Sequence, residues 1–124
     1  MDKVRYQTGL EIRQSLLGEQ HVKRSLENAD EFNRPFLELV IEFCWGEIWA
    51  SKGLSRDIRS MINVAIAVAL GRTNELPLHF KAAKQNGVSK QQLLEVLFQA
   101  EAYCGAGASD EAAAIASLAY GEPI

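Results

Sequence analysis

The chain has 124 residues, 13 Lys and Arg against 16 Asp and Glu, and a formal net charge of −3. Hydrophobic residues at 48% and charged residues at 23% exclude the composition of intrinsic disorder, and the length suffices for one domain with a core that needs no disulfide or structural metal. No run of Lys and Arg is present, so neither a nucleic-acid surface nor an anionic-membrane surface is expected, because phosphate binding needs clustered positive charge.

Apolar residues recur at helical spacing along the whole chain, and no alternating run bounded by hairpin signals interrupts them, so the sequence reads as all-α. A first helix is expected over Lys3 to Leu17, with Val4, Leu10, Ile12, Leu16 and Leu17 facing inward and Gly18 as its stop. A short turn follows around Val22 to Leu26. The next helix runs from Glu31 or Pro35 to Trp49, with Phe36, Leu39, Val40, Phe43 and Ile48 on broad apolar faces and Pro35 in its first turn. Lys52-Gly53-Leu54 breaks the pattern, after which Ser55 and Asp57 open the helix that contains Met61 to Leu70. That apolar stretch, interrupted by Asn63, is about half of the ~20 residues that span a bilayer and reads as a buried helix.

Gly71-Arg72-Thr73-Asn74 is the next punctuation, with Pro77 confined to the first turn of a helix that ends at Asn86-Gly87. Ser89 caps a helix reaching Tyr103 through Leu93, Leu94, Val96, Leu97 and Ala100, and Gly105 and Gly107 open a loop. An Ala-rich helix starts at Ser109 or Asp110 and ends near Tyr120; no internal repeat or long linker divides residues 1–124. The amino-terminal residues lack the apolar stretch of a secretory signal, which predicts a cytoplasmic protein. Cys44 and Cys104 form no CxxC pair and read as core thiols, and no metal site is expected.

Glu75 and His79 are four residues apart, so on a helix they share a face: either the carboxylate orients the imidazole for proton transfer, or the two make a surface contact. Glu47 lies between Trp45 and Trp49; it is either a desolvated carboxyl usable as a proton carrier or an exposed acid at a helix end. Arg59 and Arg72 flank the most apolar helix and either bind an anionic substrate or serve helix ends and nearby acids. Phosphate-cradling loops, GxSxG, HExxH and EF-hand patterns are absent, so any enzyme here is expected to work without a cofactor.

Several segments together are more specific than any one: Tyr6-Gln7-Thr8-Gly9, Trp45-Gly46-Glu47-Ile48-Trp49, Gly53-Leu54, Arg59-Ser60, Glu75-Leu76 with His79, Asn86-Gly87-Val88 and Tyr103-Cys104-Gly105. In their order and spacing the chain resembles the carboxymuconolactone decarboxylase family, on its gamma-carboxymuconolactone branch, over nearly its full length. The resemblance implies a single alkylhydroperoxidase-like helical bundle of about six helices that assembles as a homo-oligomer, a trimer or hexamer. It also implies cofactor-independent loss of carbon dioxide from a lactone carboxylate in aromatic catabolism, on the protocatechuate branch, to give the oxoadipate enol-lactone. His79, Glu47 and Glu75 are the implied catalytic groups, and Arg59, Arg72, Trp45 and Tyr103 the implied substrate-binding ones. The alkylhydroperoxidase branch carries a CxxC pair where Arg72 and Glu75 stand here, so dithiol peroxide reduction is not expected. Where the family continues after Tyr103-Cys104-Gly105 with a residue and Pro-Ala-Ala, this chain has Ala106-Gly107-Ala108-Ser109-Asp110. That departure leaves open another lactone isomerase, hydrolase or decarboxylase on the same scaffold, or a non-catalytic helical oligomer.

Overall fold

Asp2 determines where the first helix begins. In the computed structural model, which describes residues 1–120, its carboxylate accepts the backbone N–H groups of Val4 and Arg5 at 3.0 and 3.1 Å. Helix α1 (Lys3–Leu17) starts there and ends at Gly18, whose φ of 92° most residues avoid. Gly18 leads directly into α2 (Glu19–Glu27), longer than the turn expected. The Asp30 carboxylate then accepts from Phe32 and Asn33, both at 2.9 Å, and turns the chain into α3 (Arg34–Leu39) with Pro35 in its first turn.

From Val40 to Ile48 the hydrogen bonding slips by one residue into a π-helix, which ends with Trp49 N–H on the Cys44 carbonyl at 3.0 Å. This wide helix lies against α1 with almost nothing between the two backbones. A Cβ on Gly9 would stand 2.0 Å from the Ile41 carbonyl oxygen, and one on Gly46 would stand 2.1 Å from that of Arg5. Ile12, Leu16, Leu17, Val22, Ile41 and Trp49 are buried around the crossing, and the Trp45 and Trp49 rings stack at 5.3 Å.

Residues 1–54 form one compact unit and the chain from Ser55 onward a second. The second consists of α4 (Arg56–Leu70), a 3₁₀ turn (Thr73–Glu75), α5 (Leu76–Gln85), α6 (Lys90–Cys104) and α7 (Asp110–Ala119). Its core is a continuous cluster in which Val64, Leu76, Phe80, Ala83, Leu93 and Ala116 are fully buried. A reciprocal Ser89–Gln92 capping box starts α6, each bond 3.0 Å long. The loop after Gly105 is held by Glu101: its carboxylate accepts Gly107 N–H at 2.6 Å and Ser109 N–H at 3.0 Å, while Ser109 Oγ donates to the Leu97 carbonyl at 2.7 Å. The two backbone bonds favour the charged form, so the Glu101 carboxyl is held below its ordinary range.

Helix periodicity overstated what is buried. Val4 is 76% exposed, and Phe36, Leu39, Phe43 and Ile48 are also exposed, leaving Ile41 as the buried apolar side chain of the π-helix. Helix α4 is not wholly buried: Ser60, Val64, Ala67 and Val68 face the core, whereas Ile58, Ile62, Ile66 and Leu70 form an outward stripe. Both cysteines are exposed and unpaired thiols rather than core groups, because Cys44 and Cys104 fall on the outer sides of their helices. Among the described residues no helix is long and apolar enough to cross a membrane.

Candidate active site

The turn at Gly71 delivers Arg72 and Glu75 to α4. Gly71 adopts a left-handed φ of 69°, its N–H bonds to the Val68 carbonyl at 3.1 Å, and Arg72 N–H bonds to that of Ala67 at 2.9 Å. Two carbonyls at the end of α4 are thereby satisfied and the chain doubles back through Thr73–Glu75 into α5. Pro77 fits there because the first turn of a helix has no use for its missing N–H. Leu76, Phe80 and Ala83 are buried and fix the rotation of α5, which leaves His79 half-buried on its flank.

On that flank Arg72, Glu75 and His79 line one cavity of about 210 Å³ together with Asn63, Ile66, Ala67 and Leu70 of α4. The three polar residues singled out in this stretch of sequence therefore converge. Their pairing differs from expectation, however. Among the described residues no hydrogen bond joins Glu75 to His79; the Glu75 carboxylate approaches the Arg72 guanidinium instead, at 3.8 Å. Both partners of that ion pair are solvent-accessible, so it orients the groups more than it stabilises the fold.

Burial pushes the His79 imidazole below its ordinary value of 6.5, and the charge of Glu75 opposes the shift only in part. The ring is consequently neutral near pH 7, with one N–H to donate and one nitrogen to accept. Ile66, Ala67 and Leu70 supply an apolar wall on which a flat ring can rest, and a low-dielectric wall strengthens each polar contact made beside it. Asn63 was overlooked as a site residue, although the signal was present: it is the single polar interruption of Met61 to Leu70.

The remaining predicted residues have other surroundings. Glu47 belongs to the first unit, where its carboxylate is 49% exposed and ion-paired with the Arg5 guanidinium. Of the two readings of Glu47, the exposed acid at a helix end is the one the structure matches: Trp45 and Trp49 stack on each other and the carboxylate points to the Arg5 cation. Trp45 is half-buried in that stack. Arg59 is half-buried one helical turn before Asn63 and does not line the His79 cavity. Tyr103, 83% exposed near the end of α6, does not line it either. Among the described residues no three His, Cys, Asp or Glu side chains converge to hold a metal ion.

Comparison with known proteins places this geometry in context. Residues 34–118 match the model of the carboxymuconolactone decarboxylase family. The chain is 45% identical over 111 residues to a 4-carboxymuconolactone decarboxylase of Acinetobacter baylyi, covering 90% of this chain and 83% of that protein. It is 35% identical over 107 residues to the nitrosuccinic acid decarboxylase npaB of Metarhizium robertsii, covering 86% and 75%. A 4-carboxymuconolactone decarboxylase sequence of Pseudomonas putida is 37% identical over 46 residues, 37% of this chain and 96% of that sequence.

Proposed function

The chain belongs to the carboxymuconolactone decarboxylase family, and from that premise we propose that it is a cofactor-independent carboxy-lyase acting on 4-carboxymuconolactone in aromatic catabolism. The observation that carries the residue assignment is the convergence of His79, Glu75 and Arg72 on one apolar-walled cavity. A second relative named for a different decarboxylation speaks for loss of carbon dioxide, rather than hydrolysis or isomerisation, as the chemistry of the scaffold.

The bond to the scissile carboxylate breaks, carbon dioxide leaves, and the electron pair passes through the ring double bond to the lactone carbonyl oxygen. The resulting dienolate takes one proton at carbon to give the enol-lactone, so each turnover consumes one proton from solvent. A neutral His79 donates its N–H as a hydrogen bond to the oxygen as charge gathers there and keeps that proton, while the one proton that reaches carbon is supplied from solvent. Glu75 favours the cationic character that His79 develops on accepting a proton. Arg72, on the rim, is the cation for a carboxylate of the substrate that is retained; a firm bond to the scissile one would hold back its departure. Glu47 is assigned the relay of solvent protons, supported by its exposure, with Arg5 fixing its position. Trp45, Tyr103 and Arg59 remain candidate substrate contacts.

We further propose a cytoplasmic homo-oligomer, trimer or hexamer. What supports the assembly is the stripe on α4, where exposure runs from 40% at Ile58 to 60% at Leu70 over three turns. Contiguous apolar surface of this kind marks interaction faces.

The test is incubation of the purified protein with 4-carboxymuconolactone, following carbon dioxide and the enol-lactone. His79→Ala is expected to lower kcat by about 10²- to 10⁴-fold in a folded protein. Full turnover by both His79→Ala and Glu47→Gln would overturn these assignments.

A further inference from the structure

Asn63 is a polar residue in an apolar stretch of α4. It interrupts an otherwise apolar helical run, Met61-Ile62-Asn63-Val64-Ala65-Ile66, where Asn is a poorer helix former than Ala. Its side chain is half-buried and lines the cavity that His79, Glu75 and Arg72 share. Among the described residues its amide has no hydrogen-bond partner. By contrast Ser60 of α4 is buried and accepts from Asn86 Nδ2 at 2.9 Å, so it has a structural reason to be there. Half-buried at the cavity, the amide is left to water in the free protein, and an acceptor bound in the cavity can take the water's place.

The neighbouring groups narrow what that acceptor is. Arg72 and Glu75 are paired with each other, whereas the amide of Asn63 is free to donate alongside the imidazole. An amide donates two N–H bonds and carries no charge at any pH. Such a donor gives little to a carboxylate that Arg72 already serves, but matters to a neutral carbonyl oxygen that turns anionic during the reaction: its bond strengthens as charge builds, and so lowers the barrier more than it tightens ground-state binding. We propose that Asn63 donates an amide N–H to the lactone carbonyl oxygen of the substrate, forming with His79 a two-donor site for the dienolate oxygen. The assignment rests on the decarboxylase reading of the cavity and adds to it the group that positions the carbonyl.

The experiment compares Asn63→Ala and Asn63→Asp with the wild-type protein, measuring kcat and KM separately across pH, with thermal unfolding alongside. Asn63→Ala is expected to lower kcat by about 10²- to 10³-fold with a small change in KM. It is also expected to unfold at the same or a higher temperature, since Ala is the better helix former. Asn63→Asp places an anion beside the developing oxyanion and is expected to be the slower variant at neutral pH. Its rate relative to wild type should rise as the pH falls and the new carboxyl becomes an O–H donor, a profile that a packing role does not produce. Wild-type turnover that His79→Ala abolishes but Asn63→Ala leaves intact would overturn the Asn63 assignment alone. A folded wild-type protein that releases no carbon dioxide from the lactone would overturn the decarboxylase reading and this assignment with it.

Discussion

The two units hold themselves together by opposite means. In the first, α1 and the π-helix meet backbone to backbone at Gly9 and Gly46, and tightness comes from leaving side chains out. In the second, Leu76, Phe80, Leu93 and their neighbours fill the space between four helices, and tightness comes from side-chain volume. The contrast bears on the surroundings of the His79 cavity, although the first unit has a cavity of its own, about 390 Å³, away from the glycine crossing and lined by Ser25, Asn33, Phe36 and Val40. A crossing made by omission has no room to spare, whereas helices spaced by bulky side chains leave a gap wherever a small residue such as Ala67 faces a flank, and the His79 cavity opens there.

Substitutions in the two units should therefore fail in opposite directions. Phe80→Ala, which empties the second core, is expected to cost about 3–5 kcal/mol in urea or thermal unfolding. A loss below about 1 kcal/mol would mean that this core is not close-packed. In the first unit adding volume is the injury: Gly9→Ala or Gly46→Ala is expected to cost about 1–3 kcal/mol, since the methyl group would have to displace a carbonyl oxygen. Unchanged stability in either glycine variant would refute the backbone-to-backbone crossing.

Ser109→Ala removes the buried bond to the Leu97 carbonyl while leaving Glu101 on the loop backbone, and is expected to cost about 0.5–1.5 kcal/mol. The smallest effect concerns His79. Its folded pKa lies below the unfolded value of 6.5, so the unfolded chain binds the proton first, and stability falls as pH drops from about 6.5 toward the folded value. His79→Gln should flatten that segment of the pH–stability curve, measured by thermal unfolding. An unaltered slope would show that burial does not disfavour the charged ring.

Local rules carried most of the fold. The bounds of α1 follow from Gly18 and from the apolar pattern, the start of α6 from Ser89, and the beginning of α5 from Pro77, because each rests on chemistry within a few residues. The π-helical register was not legible, since over nine residues a slip from four to five leaves the apolar pattern looking the same. Which apolar face is covered was not legible either: both faces of Phe36 to Ile48 read as core, and exposure depends on what packs against them. For the candidate site, the spacing of Arg72, Glu75 and His79 sufficed to bring them together, because one turn and one helix hold all three. The Arg5 partner of Glu47 lies 42 residues away in the chain, beyond any local pattern.

The stacked indoles of Trp45 and Trp49 have a practical consequence. They are the two tryptophans of the chain, and both belong to the first unit. Emission excited at the red edge of the absorption band therefore reports on residues 1–54 alone, while the far-ultraviolet dichroism of the helices averages over both units. The molecule thus carries its own pair of probes for cooperativity. Coincident transitions would mean that the glycine crossing and the side-chain core melt as one, and separated transitions would give each unit its own midpoint.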